Sequence, residues 1–225
     1  MATNKVVFVT VGTTRFDELI KNIDSPQFAS ALLEKGYSSL IIQSGSSENY
    51  RIHRLVPPPA TSGSFKASSP SNEASSGGDG GGGALSITWF EYAPSLASCL
   101  DTASLVISHA GAGSIFETLR RGLPLIAVPN ASLMDNHQKE LAEKLKVEGY
   151  LATATPETVV EVVRGLDVAS LKEYVPGNGA GIVSRVDALC GVVAQESGRK
   201  KNGMIFASLH FHNKPGLLTG RHLYT

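Results

Sequence analysis

Two cysteines in 225 residues, Cys99 and Cys190, are too few and too far apart for a disulfide framework or a CxxC zinc site. They fit a reducing compartment, each as a small core residue. No surplus of charge exists either, because 20 Lys and Arg stand against 20 Asp and Glu. Without a basic run or face the chain lacks the electrostatic footprint that duplex nucleic acid demands, which excludes that class of partner. Long apolar runs are missing too. The run Val6–Val11 stops at Gly12, too short for the apolar stretch of a signal peptide. No run approaches the roughly 18–20 residues that cross a bilayer. The sequence predicts a protein made and kept in the cytosol, with no transmembrane segment of its own and any membrane attachment supplied by a partner.

Several catalytic signatures are also absent. There is no GxxxxGK[ST], which excludes a P-loop ATPase, and no GxSxG or HExxH. GAGSIF lacks the third glycine of GxGxxG and follows a late strand, which weakens a dinucleotide reading. No Asp-x-Asp occurs, so no metal clamp for a diphosphate is expected.

What remains is ample apolar content, 42% of residues, in an alternating pattern. The continuous run Val6–Val11 predicts a strand covered on both faces. Phe16, Leu19, Ile20 and Ile23 follow at helical spacing. Ser25-Pro26 predicts an N-cap and first position of a second helix ending at Gly36. Further strands are expected at Ser39–Gln43, Leu85–Phe90, Leu105–Ser108, Leu125–Val128 and Tyr150–Ala152. Helices are expected over Pro94–Leu100, from about Gly113 to Gly122, from an Asp135 or Asn136 cap to Gly149, over Pro156–Arg164 and over Ile182–Ala194. This alternation predicts an α/β fold, a Rossmann-like parallel sheet with helices on both faces. The domain is expected to span residues 1–196, interrupted by a flexible Ser/Gly/Pro-rich insert at 57–84 that cannot bury enough apolar area to offset its ordering entropy. Residues 197–225 read as an irregular tail.

In such sheets ligands bind beyond the carboxyl ends of the strands, which places Gly12–Thr14, His109–Ser114 and Asn130–Gln138 on one rim. Gly111 and Gly113 allow close backbone approach to phosphate oxygens at a helix N-terminus, where free N–H groups and the helix dipole favour an anion. His109 is placed to donate to a diphosphate, and Ser114 adds a hydroxyl. Glu117 suits a bidentate bond to two ribose hydroxyls. Other readings exist: a core histidine at His109, a capping box between Ser114 and Glu117, and an ordinary strand-to-helix loop at Gly12, Thr13 and Thr14. Asn136, His137 and Gln138 cluster at a helix start, with donors and acceptors that suit a neutral sugar.

Together, VFVTVGTTRFDEL, LVISHAGAGSIFETLRRGLPLIAVPN and LMDNHQKELAEKL resemble the donor-site pattern of GT-B glycosyltransferases. More closely they are similar to the soluble catalytic subunits of heterodimeric UDP-N-acetylglucosamine transferases. The resemblance implies a single GT-B donor-binding domain taking UDP-GlcNAc as donor substrate, without a further cofactor or metal. It implies GlcNAc transfer to GlcNAc-diphosphodolichol on the cytosolic face of the endoplasmic reticulum, the second step of lipid-linked oligosaccharide assembly for N-glycosylation. It also implies a membrane-anchored partner carrying the acceptor half. His109, Gly113 and Ser114 would then contact the diphosphate, with Gly111 in the same turn, and Glu117 the ribose. Asn136, His137 and Gln138 would contact the GlcNAc, Gly12, Thr13 and Thr14 would line the site, and Phe90 and Tyr92 would lie where the uracil is held. The alternative is a non-catalytic nucleotide-sugar-binding or regulatory module of the same fold.

Overall fold

The computed structural model describes residues 4–46, 50–66, 84–131 and 137–177. The expected helix at 182–194 and the tail at 197–225 lie outside the described residues. Chain order is β1 (Val6–Thr10), α1 (Asp17–Ile23), α2 (Pro26–Glu34), β2 (Ser39–Gln43), β3 (Ser62–Lys66), β4 (Ala84–Phe90), α3 (Ala97–Thr102), β5 (Ala103–Ser108), α4 (Ala112–Arg120), β6 (Leu125–Ala127), α5 (His137–Glu148), β7 (Ala152–Thr153) and α6 (Val159–Gly165).

Among the described residues seven strands form one sheet in the order β3-β4-β2-β1-β5-β6-β7. Every pairing is parallel except β3 with β4. The central strand β1 is buried along its whole length, and its side chains alternate between two cores. Val7, Val9 and Val11 pack with Leu19, Ile20 and Ile23 of α1, Phe28 and Leu32 of α2, and Val159 and Val163 of α6. Phe8 joins the opposite core with Leu100 of α3, Ile115 and Leu119 of α4, and Ala142 and Leu145 of α5. The period of two along the strand therefore distributes the helices over both faces, as the sequence predicts. At the start of α2, Ser25 Oγ accepts from the Phe28 amide at 3.3 Å with Pro26 in the first turn, so this cap is the expected one.

Some elements differ from expectation. β3 lies inside the segment read as a flexible insert. Its alternating exposure and the partly buried Phe65 show one face resting on the core, while antiparallel hydrogen bonding to β4 supplies what its small side chains cannot. The rest of the insert, residues 67–83, lies outside the described residues. α3 starts at Ala97, not Pro94, with Ser95 Oγ accepting from the Ala97 amide at 3.2 Å. β7 is Ala152–Thr153, because Tyr150 turns aside to meet Tyr174 edge-on at 5.5 Å. α6 starts at Val159 because the Thr158 hydroxyl accepts from the Thr155 amide at 2.9 Å and holds 155–158 as a turn.

Candidate functional site

Strand order reverses direction between β1 and β5: β2 and β4 lie to one side of β1, β5 to β7 to the other. The crevice outside the carboxyl ends at such a switch point is where open α/β sheets bind ligands. Here it is walled by the loop after β1, from Val11 to Arg15, and by the turn His109-Ala110-Gly111 that leads into α4.

His109 sits in this crevice and is buried, 6% exposed. The Cε1–Nε2 edge of its ring is flanked by two glycines. A methyl on Gly12 would come within 2.7 Å of His109 Cε1, and one on Gly111 would overlap His109 Nε2. Gly12 also adopts a φ of +63°, which a side chain would disfavour. Ala110, wholly enclosed, holds a φ of 63° as well, a left-handed conformation costing roughly 1–2 kcal/mol in a residue with a Cβ. Strain of this kind gathers at functional sites. Burial pushes the His109 imidazole below its ordinary value of 6.5, with the Thr10 carbonyl opposing in part. Burial thus favours the neutral ring with a single N–H over the imidazolium. Its Nδ1 has no hydrogen-bond partner among the described residues, nor has Ser108 Oγ just before it.

Gly111 caps α4 without a side-chain hydrogen bond, so the first amides of that helix are left for solvent or a ligand. A methyl on Gly113 would meet nothing within 4 Å among the described residues, so their packing does not require glycine there. This cap also corrects the capping-box alternative. The N-cap is Gly111, Ser114 lies inside the helix with its carbonyl accepting from Thr118 Oγ1 at 2.7 Å, and Glu117 is too far along to close a box. Glu117 instead pairs with Arg121 at 3.5 Å, one turn on, and Arg121 also pairs with Asp101. Glu117 shares the shallow outer face of α4 with Ala112, Gly113 and Phe116.

On the facing loop, Thr13 is exposed while the Thr14 hydroxyl is folded back onto the Val11 carbonyl at 2.7 Å. Thr14 thus shapes its own turn rather than offering a free hydroxyl. Gln138 lines a cleft of about 450 Å³ with Asn130, Glu143, Thr153 and Thr155. Its buried Oε1 has no partner among the described residues. Asn136 and the proposed Asp135 cap lie outside the described residues, and His137 is described only as the first residue of α5. Phe90 packs partly into the core and Tyr92 is exposed at the end of β4.

The described ones among the expected residues share one rim of the sheet, with Gln138 in the cleft beside Asn130 and Glu117 on the outer face of α4. The rim is nonetheless tied across. Asn130, buried after β6, donates from Nδ2 to the Arg15 carbonyl at 3.0 Å, and Arg15 Nε donates to the Ser46 carbonyl at 3.3 Å. Sequence reasoning placed Asn130 only as the start of the third rim loop, without its bond to the Arg15 carbonyl, and missed Gln43, which ends β2 at the same rim. Their only signal is a lone polar residue closing an apolar run.

By fold and rim this is an open, doubly wound α/β domain of the kind that takes ligands at its topological switch point. Residues 6–180 match the model of the glycosyltransferase family 28 C-terminal domain, and the chain belongs to that family. It is 40% identical over 151 residues to the Homo sapiens UDP-N-acetylglucosamine transferase subunit ALG13, covering 67% of this chain but 11% of the human protein. The chain likewise spans 11% of the length of the mouse relative. The Saccharomyces cerevisiae protein of the same name is 33% identical over 181 residues, covering 76% of this chain and 88% of the yeast protein. An NMR solution structure of ALG13 superposes with a TM-score of 0.55 at 30% identity, covering 81% of this chain and 94% of the other.

Proposed function

We propose that the chain binds UDP-GlcNAc and is the catalytic subunit of a glycosyltransferase that adds GlcNAc to GlcNAc-diphosphodolichol. The observation that carries this reading is the buried, glycine-flanked His109 beside the N-terminus of α4, where Gly111 brings no side-chain cap. It is supported by 33–40% identity to proteins named as UDP-N-acetylglucosamine transferase subunits. In this reading the diphosphate lies over Gly111 and Gly113, accepting hydrogen bonds from the first amides of α4, from the Ser114 hydroxyl and from His109. Glu117 releases Arg121 to bind the ribose hydroxyls, and Gln138, with Asn136 and His137, addresses the sugar.

The reaction is an inverting displacement. The acceptor hydroxyl oxygen forms a bond to the anomeric carbon as the bond from that carbon to the diphosphate oxygen breaks. UDP leaves with the electron pair, and the hydroxyl proton passes to a base that this chain does not identify. Charge grows on the diphosphate as it departs, so fixed donors in a dry crevice stabilise the transition state more than the ground state. With no Asp-x-Asp in the sequence, this reading assigns that role to His109, the amides and the helix dipole without a metal.

The rim is open, and the named relatives are subunits. Both facts favour a heterodimer in which a membrane-anchored acceptor-domain partner closes the site and presents the lipid-linked GlcNAc on the cytosolic face of the endoplasmic reticulum. No helix among the described residues is long and apolar enough to cross a membrane. The deciding experiment measures transfer from labelled UDP-GlcNAc to a GlcNAc-diphospholipid, with the full chain alone and co-expressed with the membrane subunit. Transfer only in the second case supports the reading. Binding of UDP-GlcNAc without transfer in either case would instead give the non-catalytic module, and a preference for NAD over UDP-GlcNAc would exclude both.

A further inference from the structure

Gln43 ends β2 between two other strand ends, in register with Thr10 of β1 on one side and Phe90 of β4 on the other. It is 2% exposed and follows the apolar residues Leu40, Ile41 and Ile42. An apolar residue would continue that strand more cheaply, since a buried amide without partners costs about 1–3 kcal/mol per lost bond. A glutamine side chain has two donor hydrogens and two acceptor sites on its oxygen, and here all are used. Oε1 accepts from Thr10 Oγ1 at 2.6 Å and from the Gly12 amide at 3.0 Å. Nε2 donates to the Gly12 carbonyl at 2.8 Å and to the Glu91 carbonyl at 2.8 Å. The orientation of the amide is dictated by its surroundings, because its oxygen faces the Gly12 N–H and its nitrogen faces two carbonyls; the Gly12 N–H is shared with Thr10 Oγ1 at 3.1 Å, and the Glu91 carbonyl also accepts from the Gly45 amide at 3.1 Å.

Every one of these bonds goes to the rim. Gly12 is gripped on both its N–H and its C=O, which fixes the two torsions between them and so the left-handed φ of +63°. That backbone lies against the Cε1–Nε2 edge of His109, with no room for a methyl group. Glu91 falls between Phe90 and Tyr92, at the strand end where the nucleobase is expected. We propose that Gln43 is a positioning residue: by clasping Gly12 and Glu91 it sets the wall against which His109 is held and fixes the spacing between the imidazole and the β4 loop. It touches no reacting atom and acts through Gly12. The consequence for donor binding rests on the function proposed above. The consequence for His109 does not.

The test uses the full chain with Gln43→Met, which keeps the length of the side chain and removes its hydrogen bonds. Histidine ring NMR follows the titration of His109, assigned by the signal lost in His109→Gln. Asp24→Asn, which weakens a buried polar cluster elsewhere, serves as the comparison for general destabilisation. Release of Gly12 should admit water to His109 and move its titration midpoint upward toward 6.5 in Gln43→Met, with Asp24→Asn unchanged from wild type. A folded Gln43→Met with the wild-type His109 titration overturns the proposal, as does an equal shift in Asp24→Asn. If Gln43→Met does not fold, Gln43→Glu is read in the same way at pH 7.5. Its carboxylate would oppose the Gly12 and Glu91 carbonyls, and an unaltered His109 signal would again overturn the proposal.

Calorimetric titration of UDP forms the second arm, with an expected tenfold or greater rise in Kd for Gln43→Met and none for Asp24→Asn. A moved His109 with unchanged UDP affinity would refute the link to donor binding. If wild type binds neither UDP nor UDP-GlcNAc, the proposed function falls while the His109 arm still decides the role of Gln43.

Discussion

Two buried polar clusters in this domain are satisfied in opposite ways. At the end of α1, the fully buried Asp24 carboxylate accepts from the Tyr50 hydroxyl at 2.8 Å and from the amides of His53, Arg54 and Leu55 at 2.9, 3.0 and 2.8 Å. It is a peg that holds the loop after β2, and four donors from the protein itself surround it. At the carboxyl rim, His109 Nδ1, Ser108 Oγ and Gln138 Oε1 are buried without partners among the described residues. Native proteins pair most buried polar atoms, so the two adjacent orphans at Ser108 and His109, beside the strained turn at Ala110, mark a place arranged for something other than folding; Trp89 Nε1 on β4 is a further unpartnered atom among the described residues. The closed cluster serves stability, and in the function proposed above the open atoms at the rim serve a ligand.

The largest effect should come from breaking the closed cluster. Asp24→Ala strands three amides, that of Leu55 buried and those of His53 and Arg54 partly so, together with a hydroxyl, and is expected to cost about 3–5 kcal/mol in urea unfolding. UDP affinity of the protein that remains folded should hold. A tenfold loss of that affinity would erase the contrast between the two regions.

The converse change at the open cluster is His109→Leu. It removes an unpartnered polar edge and should alter stability by no more than about 1 kcal/mol, while transfer falls by about 10²–10³-fold, the scale of a lost oxyanion donor. A stability loss matching Asp24→Ala would make His109 structural.

Gly111→Ala sharpens the comparison sterically. Overlap with His109 Nε2 should cost about 1–3 kcal/mol as overpacking and displace the ring, lowering UDP affinity together with stability. Gly113→Ala, where no atom of the described residues stands in the way, should leave stability nearly unchanged and weaken UDP binding alone.

A smaller effect follows from pH. His109 titrates below 6.5 in the folded protein, so below that pH the unfolded chain binds the extra proton first. Its contribution to stability is complete above 6.5 and is lost as pH falls toward the folded value. His109→Leu should remove that part of the acid sensitivity, as seen in melting temperatures between pH 7.5 and 5.

The smallest structural effect belongs to Glu117→Gln. The side chain is half exposed and its pairing with Arg121 is a surface one, worth at most about 0.5 kcal/mol. A several-fold loss in UDP-GlcNAc affinity with unchanged melting would place it at the ribose. No loss would leave it as a partner of Arg121.

Much of this contrast was legible before any coordinates. The β-branched run Val6–Val11, the small residues after Ser108 and the capped start at Ser25-Pro26 have short-range causes, and they marked β1, the turn into α4 and α2. Features that rest on distant neighbours were not legible. β3 has no apolar pattern of its own and forms because β4 offers it a backbone ladder. Asp24 reads as a residue before a cap until Tyr50 and the amides of residues 53–55 close on it. Gln43 reads as the last residue of a strand. The Ser114–Glu117 spacing fits a capping box, and only the backbone at Gly111 shows that the helix had already begun.

The antiparallel strand Ser62–Lys66 has a practical consequence for anyone who would trim the low-complexity stretch. It covers the outer hydrogen-bonding margin of Ala84–Phe90, whose groups would otherwise face water as a template for another chain. The opposite margin needs no such cover, since Ala152–Thr153 offers little length to recruit a neighbour. Deleting residues 57–83 wholesale would invite aggregation through that bared side, whereas a shortening within 67–83 that keeps enough residues for a turn between Lys66 and Ala84 would leave the guard strand in place.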